Sequence, residues 1–268
     1  MLRSKLSVVC ALLPAIAVVF ITGCSVTPVD KTAGMSPNTI YSEAKEEMGL
    51  GQWEKALPLL EKLEARAAGT PLAQQAQLDK AYAHFKSAEP AQAIATLERF
   101  ARLHPASPAL DYALYLKGII NFNDDLGMFS AVTRQDMSER DQKAAKESFE
   151  AFKELVARFP DSRYAPDARE RMNYIVGALA MYEVHVARYY YQRGAYLAAI
   201  NRAQLAVADY RDVPAIEEAL FLIYKSYDAL GMTQLRDDAK RVLEKNYPQS
   251  DYVLKGGKPN TDPWWKLW

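Results

Sequence analysis

The chain has 268 residues, half of them hydrophobic and 25% charged, with 33 Lys+Arg against 33 Asp+Glu. This composition excludes intrinsic disorder, and the even charge excludes a global field for nucleic acid or an anionic membrane. Two cysteines and three histidines leave no disulfide framework and little for a His-based metal site, while 16 tyrosines beside 12 glycines point to helices packed with aromatics.

The N-terminus reads as an address. Arg3 and Lys5 precede a 16-residue apolar run, Leu6 to Ile21, broken by Pro14. A spanning helix needs about 20 apolar residues, so the run predicts a cleaved secretory leader, residues 1–23, rather than an anchor. Ile21-Thr22-Gly23-Cys24 looks like a bacterial lipobox, with Ile in place of the usual Leu. Cleavage there would make Cys24 the first mature residue, carrying S-diacylglycerol and N-palmitoyl chains, and remove Cys10. Loss of Arg3 and Lys5 leaves 31 basic residues against 33 acidic, a mature charge of −2. Two or more acyl chains hold a soluble domain stably to a bilayer. Ser25, where inner-membrane lipoproteins typically carry Asp, implies the outer membrane. Residues 24–35 read as the lipidated Cys and a flexible tether.

Beyond the tether a 37-residue period organises the chain. It links Ala44, Ala81 and Gly118; Tyr41, Leu78 and Tyr115; and Met48, Phe85 and Phe122. A second set joins Ala56 with Ala93, Leu60 with Leu97, and Leu63 with Phe100. Ser36-Pro37, Thr70-Pro71 and Ser107-Pro108 predict helix starts, because a hydroxyl can accept a free first-turn N–H and Pro at the first position sacrifices no hydrogen bond. A Pro-x-Ser element at Pro105/Ser107, Pro160/Ser162 and Pro248/Ser250 extends the pattern. Its longer gaps predict a polar loop around Asn121 to Asp141, and one long helix from Ser162 to Arg193 that tolerates Gly177 at some cost in helix propensity. Gly51-Gln52-Trp53-Glu54-Lys55-Ala56 and Gly194-Ala195-Tyr196-Leu197-Ala198-Ala199 read as hairpin turns: Gly for the bend, an aromatic to fill it, Ala for close helix approach. The expected fold is all-α, a right-handed α-solenoid of five tetratricopeptide-like helical hairpins (about 36–69, 70–106, 107–161, 162–212 and 213–250), followed by a Trp-rich tail at 253–268.

No catalytic constellation stands out. Gly49-Leu50-Gly51 begins like a dinucleotide loop, but Glu54 holds the third glycine position and no strand precedes it. There is no nucleophile elbow, paired-histidine zinc motif, phosphate loop or C-x-x-C. His84, His104 and His185 read as packing or surface residues, Asp124-Asp125 as a solvated pair, and Tyr189-Tyr190-Tyr191 as helix-end packing.

Several stretches exceed generic repeat positions: His104 to Pro108 with Asp111-Tyr112-Ala113-Leu114-Tyr115, Arg158 to Tyr164, Ala180-Met181-Tyr182-Glu183-Val184, Tyr189-Tyr190, Arg193-Gly194-Ala195, and Ala199-Ile200-Asn201-Arg202. With the lipobox they resemble the BamD (ComL) family of outer-membrane lipoproteins, from Cys24 to about Tyr252; the tail from Lys255 to Trp268 lies outside that pattern. The resemblance implies a non-enzymatic adaptor without cofactors, lipid-anchored on the periplasmic face of the outer membrane. The partners it implies are a POTRA domain of the barrel-forming subunit BamA, other Bam lipoproteins (BamC-like and BamE-like) and unfolded outer-membrane proteins, with no nucleic acid. It places Asn201 and Arg202 on the BamA-binding surface. For clients, the columns put Tyr41, Lys45, Tyr82, Lys86, Tyr112 and Tyr115 on first helices, which line the concave side in this repeat class. Tyrosines with a few lysines would suit an extended peptide ending in an aromatic and a free carboxylate. The alternative is a peptidoglycan-associated or cell-division-coordinating repeat lipoprotein; for a transglycosylase no segment offers the mixed α/β domain its catalytic Glu would need.

Overall fold

The computed structural model describes residues 32–122 and 142–256, which form eleven helices and no strand. The leader, Cys24, most of the tether, Asp124-Asp125 and the Trp-rich segment lie outside the described residues. The helices are α1 Pro37–Gly49, α2 Trp53–Arg66, α3 Pro71–Lys86, α4 Pro90–Leu103, α5 Leu110–Phe122 and α6 Gln142–Arg158. They continue with α7 Ala165–Gln192, α8 Tyr196–Asp209, α9 Ala215–Ala229, α10 Thr233–Asn246 and the single turn α11 Asp251–Leu254. From α1 to α10 each helix packs on the next, giving five antiparallel hairpins, and α3 with α5 and α7 with α9 also touch. The fold is an all-α solenoid.

The 37-residue columns are its core. Ala44, Ala81, Ala56, Ala93, Leu60, Leu63 and Phe100 are all fully buried. Gly118 occupies its column for a steric reason: a Cβ there would lie within 2.7 Å of three ring carbons of Phe152. The same close approach lets Ser148 Oγ donate to the Gly118 carbonyl at 2.8 Å. The hairpin turns also recur in register. Gly51, Gly194 and Gly231 sit at φ +72°, +74° and +70°, and Ala88, 37 residues after Gly51, adopts φ +59° without being glycine. That left-handed backbone costs a residue with a Cβ about 1–2 kcal/mol.

Ser36 and Thr70 cap as expected, accepting from Thr39 N at 3.1 Å and Ala73 N at 3.3 Å. Ser107 does not start its helix directly; α5 begins at Leu110. The Ser107 hydroxyl accepts from Ala109 N at 3.4 Å and also donates to Gln74 Oε1 of α3 at 2.9 Å. Ser162 repeats this, accepting from Tyr164 N at 3.2 Å and donating to Asp111 Oδ2 of α5 at 2.7 Å. Gln74 and Asp111 are themselves one 37-residue step apart, so the first two Pro-x-Ser elements tie the third and fourth units to the ones before them. The expected loop loses its first two residues, since buried Asn121 and Phe122 close the last turn of α5. The tether ends earlier than expected: Thr32 is buried and held by Arg66 of α2, which donates to its carbonyl at 2.6 Å and its hydroxyl at 3.1 Å.

The long helix is present as α7, 28 residues or about 42 Å at 1.5 Å per residue. Three buried clusters run along the chain. The first joins α1 and α2 to α3 around Ile40, Leu60 and Ala76. The second centres on Phe100, Phe152 and Leu110 and takes Ala168, Ile175 and Leu179 from α7. The third takes Ala180, Val184 and Ala187 from α7 and joins them to α8–α10.

Candidate interaction surfaces

The first surface gathers around Asp79 of α3. This carboxylate is 8% exposed. Gln75 donates to its Oδ1 at 3.0 Å, Lys45 of α1 stands 3.6 Å from Oδ2, and Oδ2 makes no hydrogen bond within 3.5 Å. The Tyr41 hydroxyl faces the same group, and burial followed by the Asp79 charge pushes its phenol up to about 12. Tyr112 of α5 is likewise pushed up to about 12, first by burial and then by Asp79. Asp79, Tyr112, Asp111, Gln75, Arg163 and Tyr164 line a cleft of about 480 Å³.

Three of the six expected groove residues, Tyr41, Lys45 and Tyr112, thus converge on one carboxylate. Tyr82 instead packs edge-on against Trp53 with centroids 5.7 Å apart, and Lys86 lies 5.9 Å from the Tyr82 and Phe85 rings. Tyr115 stacks on Tyr164 at 4.6 Å and donates to Asp167 Oδ2 of α7 at 2.8 Å. Burial would raise the Asp167 carboxyl, but hydrogen bonds from Arg171 and Tyr115 hold it below the ordinary carboxylate range. Asp79, Tyr164 and Arg163 are functional candidates that the columns did not reveal.

The second surface is the outer face of α8. Leu197, Asn201 and Leu205 are exposed at four-residue spacing, so they share one face. Arg202 beside them is partly exposed, and its Nη1 is 3.1 Å from Oε2 of Glu183 on α7. Glu183 is 8% exposed; its charge adds to burial in raising the Tyr210 phenol. A parallel bridge joins Arg188 of α7 to Glu218 of α9, with Nε and Nη2 donating at 2.6 and 2.7 Å. Arg202 is therefore aimed by a nearly buried carboxylate rather than left to swing in solvent.

Tyr191 packs on Tyr196 across the α7–α8 turn, centroids 5.6 Å apart, while Arg193 lies over the exposed Tyr189 ring at 5.0 Å. His84 Nδ1 is 2.6 Å from Glu89, and His104 packs on Phe100 with centroids 5.1 Å apart. Among the described residues, no group of three or more His, Cys, Asp or Glu side chains is placed to hold a metal ion, and no helix is long and apolar enough to cross a membrane.

Residues 33–243 match the model of the YfiO family, described as an outer membrane lipoprotein. The chain belongs to the BamD family. An outer membrane protein assembly factor BamD from Neisseria meningitidis serogroup A is 45% identical over 244 residues, covering 90% of this chain and 91% of that protein. The BamD of Vibrio cholerae is 34% identical over 231 residues, covering 86% and 95%, and that of Haemophilus influenzae 31% over 250, covering 93% and 94%. Among solved structures, TPR-like repeats of a kinesin light chain from Podosopora anserina align at 16% identity with a TM-score of 0.34, covering 80% of this chain and 96% of that one. The BamD match spans both surfaces, from α1 to α10.

Proposed function

We propose that this chain is a non-enzymatic assembly factor for outer-membrane β-barrel proteins, anchored through acylated Cys24 on the periplasmic face. It would dock a BamA POTRA domain on the outer face of α8 and receive unfolded clients at the Asp79 cleft. The observation that carries the docking assignment is Arg202, fixed by Glu183 between the exposed leucines of α8. An oriented guanidinium flanked by apolar side chains is the composition of an interface anchor, able to take a carboxylate through two parallel hydrogen bonds. At the cleft, the wall formed by Gln75, Asp111, Tyr112 and Tyr164 over the buried Asp79 presents acidic and phenolic groups to an extended chain. Because Lys45 already faces Asp79, donors on the client suit this cleft better than a terminal carboxylate. Family membership and the names of the relatives support the assembly role.

Calorimetric titration with a BamA POTRA domain tests the docking. Arg202→Gln is preferable to a glutamate, which would set two carboxylates together beside α7. Arg202→Gln and Leu205→Glu should each weaken binding about tenfold, roughly 1.4 kcal/mol. Unchanged affinity in both folded variants would sink the assignment.

A further inference from the structure

A groove of about 560 Å³ opens between Met181 of α7, the start of α9 and the loop from α10 to α11. Its walls are apolar or aromatic at Met181, Pro214, Pro248, Tyr247 and Tyr252. Its charges are unequal. Glu218 is satisfied by both Arg188 nitrogens and by the Tyr252 hydroxyl at 3.0 Å, and Asp251 pairs with Lys255 at 3.1 Å. Glu217 also lines the groove, yet it carries no ion pair among the described residues. Its charge registers on both phenols: burial and then Glu217 raise Tyr247, and Tyr252 is raised by burial, Glu218 and, more weakly, Glu217. The groove therefore asks for a cation set among large apolar side chains.

The chain carries such a segment just beyond its last described residue. Trp264-Trp265-Lys266-Leu267-Trp268 holds three of the four tryptophans around one lysine. The description ends at Gly256, one short turn after Tyr252, and Tyr252 lines the groove. Residues 257–263 can span about 24 Å when extended, at roughly 3.4 Å per residue. We propose that the segment 264–268 folds back into this groove of its own chain, tryptophans against Met181, Pro214, Pro248 and Tyr247, with Lys266 at Glu217. Attachment makes this feasible at modest intrinsic affinity. A short linker supplies an effective concentration near 1 mM, so a segment whose free peptide binds at about 100 µM is held about ten to one. The last hairpin thereby gains a cover that any partner using the same groove must displace.

Carbodiimide coupling of the full chain, read by peptide mass spectrometry, tests this. The expected product joins Lys266 to Glu217 and vanishes in Glu217→Gln. In an equal mixture of light and heavy isotope-labelled chains it should lie within one label. A product spanning two labels would assign the segment to a second copy and overturn the proposal. A second readout uses Trp53→Phe, which leaves the tail tryptophans alone to fluoresce. Adding Glu217→Lys should shift their emission to longer wavelength and raise iodide quenching several-fold, whereas Leu235→Glu, on the exposed apolar face of α10, should not. Release by Leu235→Glu but not Glu217→Lys, or a shift seen only with phospholipid vesicles, would place the segment elsewhere and overturn it.

Discussion

Around Phe152 the core is filled by rings; around Ala203 it is filled by methyl groups and branched aliphatic side chains. The second core cluster gathers Phe100, Phe122 and Phe152, with Tyr112, Tyr115 and Tyr164 packed at its margin. Half of the third is alanine (Ala180, Ala187, Ala203, Ala206, Ala215 and Ala219), with no aromatic among its buried residues, and its helices are clamped by Arg202–Glu183 and Arg188–Glu218. One hairpin design thus yields two kinds of surface. A cleft opens at Asp79 beside the ring-filled core, whereas the alanine-rich core lies beneath the exposed face of α8. In a solenoid each unit touches mainly its neighbours, so the two halves communicate chiefly through α7, the helix shared by both clusters.

The largest expected effect comes from removing the ring that α6 packs into the gap left by Gly118 on α5. Phe152 is fully buried against Gly118 and Tyr115. Phe152→Ala should cost about 3–5 kcal/mol, the usual range for losing a core aromatic. Hydrogen exchange should then rise first in α5, α6 and the start of α7, with α9 retaining protection longer. Equal loss of protection in both halves would mean that α7 couples them into one unit.

A smaller effect tests the ionic hub of the first half. Glu64 of α2 receives Lys80 at 3.0 Å, Arg99 at 2.7 Å and Gln77 at 3.1 Å, tying α2, α3 and α4 together. Burial alone would raise its carboxyl, but the hydrogen bond and charge of Lys80, the charge of Arg99 and the Gln77 hydrogen bond bring it below the ordinary range. A carboxyl lowered in the folded state stabilises above its unfolded pKa, and that stabilisation is lost as pH falls through the folded value. Acidification below the ordinary carboxylate range should therefore loosen α2–α4, and Glu64→Gln should flatten that part of the stability–pH profile. Glu64→Ala, which leaves the nearly buried Lys80 ammonium without its main partner, should cost about 3 kcal/mol at neutral pH by denaturant unfolding.

Much of this comparison was legible in the chain, and the parts that were not share a cause. The columns, the turn glycines and the long helix are periodic, and periodicity survives in one dimension. The Asp79 hub is not periodic. It joins Tyr41 and Lys45 of the first unit and Tyr112 of the third around a residue of the second, next in sequence to the column residue Leu78, and nothing local distinguishes Asp79 from a solvated acid. Glu183 was visible only as part of a family motif, because its value lies in facing Arg202 across a turn. Ser107 was read as a cap because a hydroxyl before Pro usually is one; its oxygen does accept from Ala109 N, but the donation of its proton to Gln74, 33 residues earlier, has no local signal.

The smallest effects come from exchanging the same two residue types in opposite directions. Gly177 lies inside α7, two residues before Leu179, the last contribution of that helix to the second cluster, and a Cβ there would meet nothing within 4 Å. Gly177→Ala should therefore stabilise by about 1 kcal/mol, the ordinary penalty of glycine within a helix. Ala88 is the converse, a residue with a Cβ at φ +59°. Ala88→Gly relieves about 1–2 kcal/mol of left-handed strain but restores roughly 0.4–1 kcal/mol of unfolded-chain entropy, so its net gain should be smaller. The two sites lie in different hairpins, and their effects should add to a rise of about 3–6 °C in melting temperature. Loss of stability in Gly177→Ala would show that α7 bends at this point, making Gly177 the joint between the ring-packed and alanine-packed halves.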